Sequence, residues 1–232
     1  MRIHKYVSLT GFCSRRETSR LLEQRRITIN GEICDKDSIV ENDDLVLIDN
    51  EPIPRKVSNL YLAFNKPVGI ICTSNPEIEG NILDCVKLPE RVFPVGRLDR
   101  ASQGLILLTN DGDLSNRISQ SEYGHEKEYE VTVNEPVTDL FLKKMAEGVP
   151  ILNTITKPSK TCLVSKYVFR ITLTQGLNRQ IRRMCKALGY EVEKLERIRI
   201  MNIHLHTLTL GEWRELKPEE LAELKKDLGL LS

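Results

Sequence analysis

Apolar residues recur along this chain at two spacings, and the places where the spacing changes mark its elements. A helical spacing starts at Ser14, carries Leu21 and Leu22 toward a core and leaves Arg16 and Arg20 one turn apart on one side. Ser14 followed by Glu17 reads as a capping box, so a helix is expected to about Gln24. Asn30-Gly31 turns between a short strand at 27–29 and Ile33-Cys34, and residues 44–48 read as a closing strand. Residues 49–56 hold Pro52, Pro54 and mixed charge, which argue against helix and sheet and put a break near 58. Beyond it the pattern predicts strands at 61–64, at 105–108 up to an Asn110-Asp111-Gly112 turn, through Tyr129, Val131 and Val133, and at 168–174. Residues 65–69 are expected to turn the first of these. Leu140, Phe141 and Met145 keep helical spacing after Thr138, as do Ile181, Met184, Cys185 and Leu188 between an Asn178 N-cap and Gly189. A short helix is expected at 218–228. Non-adjacent strands with helices between them imply an α+β domain on a largely antiparallel mixed sheet with flanking helices.

With 232 residues the chain has room for two modest domains, and its mean hydropathy of −0.29 is ordinary for a soluble protein. No apolar run reaches membrane-spanning length and residues 1–6 show no leader-like apolar core, so a cytoplasmic protein away from membranes is expected. Six scattered cysteines without C-x-x-C spacing speak against a disulfide framework and a zinc ribbon. The net charge of +1 conceals an asymmetry. Residues 1–31 balance to +5 through Arg2, Lys5, Arg15, Arg16, Arg20, Arg25 and Arg26, whereas residues 32–50 balance to −6. A local basic face can hold phosphates whatever the overall sum. There is no P-loop and no G-x-G-x-x-G, so no nucleotide cofactor is expected. His204-x-His206 has no third ligand nearby, which leaves a metal hydrolase a weak reading and ordinary polar contacts the stronger one.

Three segments carry candidate chemistry. Gly96-Arg97-Leu98-Asp99 runs into the apolar strand, and a carboxylate held there needs a cation beside it. Alone, such an Asp is as easily a surface residue at a strand edge. Glu126-Lys127-Glu128-Tyr129 places an aromatic on a strand, where simple packing is the commoner use. Asn178-Arg179-Gln180-Ile181-Arg182-Arg183 opens a basic helix, with Arg182 bordering the apolar stripe; Arg179, Arg183 and Lys186 read equally well as a solvated face.

These segments, in this order, closely resemble the signature motifs of the pseudouridine synthases. Residues 2–48, through Lys5-Tyr6, Ser14-Arg15-Arg16 and Ile29-Asn30-Gly31, resemble the S4 RNA-binding domain, a small α-L-like fold. The combination is similar to the branch of ribosomal pseudouridine synthases that contains the small-subunit enzyme and several large-subunit ones. The resemblance implies an S4 domain at 1–48, a linker at 49–58 and a catalytic domain at 59–232. It implies isomerisation of uridine to pseudouridine by base flipping, with Asp99 as nucleophile, Tyr129 packed on the target base and Arg182 paired with Asp99. Arg97, Arg15, Arg16, Arg20, Arg26, Arg179 and Arg183 would then contact RNA: 23S rRNA first, with a tRNA anticodon stem-loop as the alternative. No cofactor or metal is expected, and a monomer is. A non-catalytic RNA-binding or ribosome-assembly factor is the competing class. The chain given stops at Ser232 without the Lys-rich tail some members carry, which lowers the nonspecific RNA affinity expected of it.

Overall fold

The computed structural model describes residues 1–54, 58–75 and 77–230, which fall into two compact units. The smaller comprises residues 1–60 with 88–92 and 110–112. In it α1 (Ile3–Leu9) buries Ile3 and Val7 against α2 (Arg15–Glu23), which contributes Leu21 and Leu22 to the same core. Ser14 caps α2 by accepting the Glu17 N–H at 3.1 Å, but Glu17 pairs with Arg20 at 3.2 Å instead of reaching back. The strands β1 (Ile27–Ile29), β2 (Glu32–Ile33), β3 (Val46–Ile48) and β4 (Glu51–Pro52) form one antiparallel sheet in the order β2-β1-β3-β4. The last strand was not expected. Asp49 and Asn50 both take positive φ and turn the chain back, and Pro52 sits at the sheet edge, where a missing N–H costs no ladder bond. Arg55 and Lys56 of the expected linker lie outside the described residues.

The larger unit is built on a nine-stranded sheet. It begins with β5 (Tyr61–Lys66), α3 (Ile82–Val86), β6 (Phe93–Val95), β7 (Gln103–Thr109), α4 (Gly112–Ser119), β8 (Lys127–Val133) and α5 (Asp139–Glu147). A hairpin of β9 (Pro150–Ile151) and β10 (Thr154–Ile155) follows, then β11 (Lys160–Ser165), β12 (Val168–Leu173), α6 (Gln180–Ala187) and β13 (Val192–Ile200). The unit ends with β14 (Ile203–His204), β15 (Trp213–Glu215) and α7 (Pro218–Asp227). The sheet order is β11-β12-β8-β13-β7-β5-β15, with β14 on β13 and β6 on β7. Among its ladders only β13–β7 is parallel, so the sheet is mixed and mostly antiparallel, as its pattern implies.

Alternation along the strands divides their side chains between two cores. Val131, Val133, Phe169 and Ile171 pack with α5 and α6, while Leu105 and Leu107 pack with α4 and α7. Four local expectations change. Asn65 and Lys66 continue β5 as buried residues instead of turning it. Asn110-Asp111-Gly112 leads into α4, and Leu140 faces solvent while Phe141 and Met145 fill the core. Helix α6 starts one residue late: Arg179, in the left-handed region, holds the cap position, and Gln180 accepts the Leu177 N–H at 3.0 Å. Its far end follows the pattern, with Gly189 and Tyr190 donating back to Lys186 and Cys185 in a Schellman closure.

Candidate active site

The loop between β6 and β7 is pinned on both sides. Leu98 is buried and its N–H meets the Cys72 sulfur at 3.3 Å, while the Ser102 N–H closes on the Asp99 carbonyl at 3.0 Å. Arg100 Nε donates to Gly69 O at 3.1 Å, and Gly69 N–H returns to Arg100 O at 2.7 Å. Asp99 is thereby held half-buried at the mouth of a cleft, with Arg97 exposed beside it.

The cleft encloses about 110 Å³, far below the roughly 300 Å³ at the lower end of drug-sized sites, so it is scaled to one small ring. Asp99 comes to it from the β6–β7 loop, Tyr129 from β8, and Arg179 and Arg182 from the start of α6. Leu173, Ile181 and Leu195 give it apolar walls. A flat pyrimidine entering between these groups would meet a phenol and aliphatic side chains, with a carboxylate and guanidinium groups around it.

Arg182 does not form the expected ion pair with Asp99. Its Nη1 donates to Val192 O at 3.0 Å and its Nη2 to Ala101 O at 2.8 Å, and among the described residues no Arg182–carboxylate bridge is formed. Two carbonyls that need donors have taken the guanidinium's N–H groups. The consequence is mechanical as well as electrostatic: Arg182 ties α6 to the segment just after Asp99. Burial pushes its pKa down, nearby Arg179 adds to that, and the charge of Asp99 pulls the other way. Arg182 and Asp99 therefore share a field without sharing a hydrogen bond.

The remaining basic residues separate. Arg179 lines the cleft, whereas Arg183 lies outside it and bonds Asn178 through Nε (3.0 Å) and Nη2 (3.2 Å). In the smaller unit Arg15 and Arg16 are exposed, Arg20 is held by Glu17, and Arg26 grips Asp49 with Nε at 2.7 Å and Nη2 at 2.5 Å. Arg26 is thus already engaged and less available to a phosphate than the pattern suggested. Among the described residues no cluster of three metal-binding side chains occurs, and the His204 and His206 rings stack 5.2 Å apart.

Two residues near the site were not anticipated. Lys66 is fully buried, donates to Pro67 O (2.8 Å) and Ile70 O (2.9 Å), and lies within reach of the Asp99 charge. Arg197 is 2% exposed. A lysine continuing the apolar run at 61–64 was a faint signal for the first. Nothing separates Arg197 from Arg199 in the pattern around it.

Comparisons with known proteins agree with one another. Residues 60–187 match the family model described as RNA pseudouridylate synthase, and residues 1–46 match the S4 domain. The dual-specificity RNA pseudouridine synthase RluF of Shigella flexneri is 52% identical over 228 residues, covering 97% of this chain and 79% of that protein. Ribosomal large subunit pseudouridine synthase B of Bacillus subtilis is 30% identical, over 97% of this chain and 95% of its own. A crystal structure of a pseudouridylate synthase superposes with a TM-score of 0.72 at 30% identity, covering 97% of this chain and 99% of the other.

Proposed function

The chain belongs to the RNA pseudouridylate synthases, and from that premise we propose that it isomerises one particular uridine of ribosomal RNA, 23S rRNA first, using Asp99, Tyr129 and Arg182. The observation that carries this reading is the meeting of those three side chains, from three separate elements, in one cleft of single-ring size. In the reaction the N1–C1′ bond breaks, the uracil turns, and C5 bonds to C1′ while C5 loses a proton and N1 gains one. Substrate and product are isomers, so the balance needs no oxidant and no co-reactant. Asp99 is the nucleophile, Tyr129 stacks on the flipped base, and Arg182 keeps the Asp99 loop fixed and its surroundings positive. Arg97, exposed at the rim, has a flat guanidinium suited to filling the gap in the RNA stack or to holding a flanking phosphate.

Residues 1–48 serve as the RNA-binding domain and 59–232 as the catalytic domain of a cytoplasmic monomer. Arg15 and Arg16 are the phosphate contacts best supported by exposure. A second RNA, such as a tRNA stem-loop, is favoured by one observation: relatives at 52% identity are named as dual-specificity enzymes. Pseudouridine mapping by carbodiimide and primer extension, in rRNA and tRNA from a strain lacking this protein, tests the assignment. One 23S rRNA stop should vanish and return when the purified protein is added to the unmodified RNA. Loss confined to tRNA, or no loss at all, overturns the rRNA reading.

A further inference from the structure

A single row crosses the sheet beneath the cleft. Tyr129 on β8 stands opposite Arg197 on β13, Arg197 opposite Gly104 on β7, and Gly104 opposite Lys66 on β5. Cross-strand partners share a face, so Arg197 and Lys66 lie on the side that presents Tyr129 to the cleft. Leu195, two residues before Arg197 and on the same face, lines the cleft directly. The middle of the row carries no side chain, because a Cβ at Gly104 would collide with the Arg197 backbone. A bulge at Ile198 follows Arg197, a device that re-aims the strand beside it.

Among the described residues the two cations of this row are hydrogen-bonded to no carboxylate, although the Asp99 charge reaches Lys66 through space. Arg197 Nε donates to Leu105 O at 2.6 Å, but its Nη2 is buried with no hydrogen-bond partner. Among the described residues neither Arg197 nor Lys66 forms an ion pair with a carboxylate. Lys127, on the same face two residues before Tyr129, is depressed to about 8 by burial and by Arg197. Buried cations without a directly bonded counter-ion are costly at rest and become favourable when further negative charge forms nearby.

We propose that Arg197 and Lys66 form a fixed positive floor that stabilises the negative charge developing on the uracil ring as its bond to the sugar breaks. The inference rests on the uridine-isomerising reading above. When the N1–C1′ bond opens, its electron pair stays with N1 and spreads to O2 and O4. Attack of Asp99 at C1′, addition at C6 and assisted loss of the C2′ proton all place an electron pair on the ring, so the floor serves any of these routes. The charge lasts until C5 spends that pair on its bond to C1′; the ring is then neutral, and loss of the C5 proton with gain of one at N1 completes the isomer. Neither side chain lines the cleft, so both act through their field.

A leaving-group comparison tests this. Large-subunit rRNA transcribed with uridine, or with 5-fluorouridine whose base leaves more readily as an anion, is followed in single turnover through consumption of the target nucleoside. Arg197→Met should slow the uridine reaction on the order of 100-fold and the fluorouridine reaction at least tenfold less, so the ratio of the two rates rises. Arg197→Lys, which keeps the charge, should stay within about tenfold of the parent. Lys66→Gln should move the ratio in the same direction and serves if Arg197→Met fails to fold, with circular dichroism and RNA affinity as the check. Equal losses on both RNAs in whichever variant folds, or no loss, would overturn the floor. A parent protein that forms no pseudouridine in this RNA would instead overturn the rRNA reading.

Discussion

Arg182 holds two jobs that a surface arginine would not. It supplies donors to Val192 and Ala101, and it places a positive charge in the cleft that Asp99 occupies. Arg182→Ala is expected to lower single-turnover rate on the order of 100-fold while RNA affinity changes little. Arg182→Lys keeps the charge but not the fork and should fall between Ala and Arg. A wild-type rate in the Ala variant would reduce Arg182 to part of a basic helix face. Lys127 offers a second test at this scale. Its pKa falls from an ordinary 10.5 to about 8 through burial, with Arg197 adding to the effect. Between those values the unfolded chain binds more protons than the folded one, so stability rises with pH across the window. The cost, of order 3 kcal/mol, is complete below pH 8 and fades toward the upper value. Lys127→Met should therefore raise Tm at pH 7, by a margin that shrinks at pH 10. A margin independent of pH would contradict that environment. That Asp99, Tyr129 and Arg182 line one cleft was legible because each sits in a sequence motif, whereas the bonds Arg182 makes to Val192 and Ala101 were not. Arg197 and Lys66 were not, because a buried cation differs from an exposed one only through the strands that cover it.

At the scale of elements, the strongest contrast lies between two glycines in left-handed conformations. Gly189 closes α6 with open space around it, so Gly189→Ala should cost about 1 kcal/mol of backbone strain. Gly104 carries the same backbone restriction and also faces the Arg197 backbone across the parallel β7–β13 ladder. Gly104→Ala should cost several-fold more or prevent folding, because two strands must part to admit one methyl group. Urea unfolding of both variants compares the two, and similar midpoints would show that the β7–β13 junction is looser than its geometry. The Ser14 and Gly189 ends were readable because capping is local chemistry. The left-handed Arg179 and the strand at Glu51–Pro52 were not: each depends on a neighbour that sequence does not display, Gln180 bonding back to Leu177 in one case and β3 in the other.

At the scale of the molecule, an overall charge of +1 leaves RNA binding to local surfaces. In the smaller unit the exposed Arg15 and Arg16 are proposed to hold phosphates, whereas Arg26 is occupied by Asp49. Replacing Arg15 and Arg16 together by Ala should lower the slope of log affinity against log salt by roughly 0.7 for each phosphate no longer neutralised, with Arg26→Ala changing it much less. An unchanged slope in the double variant would take this face out of the RNA interface. The α+β class and the mixed sheet could be read from alternation along separate strands. Their order could not, because β13 lies between β7 and β8, strands that come much earlier in the chain. The proposed chemistry converges on Asp99, and Asp99→Asn tests it most directly, since the amide keeps shape and hydrogen bonding but lacks the attacking oxygen. With deamidation excluded by mass spectrometry, the variant should bind RNA with near-wild-type affinity and form no detectable pseudouridine in single turnover; substantial pseudouridine from the Asn variant would contradict a nucleophilic Asp99.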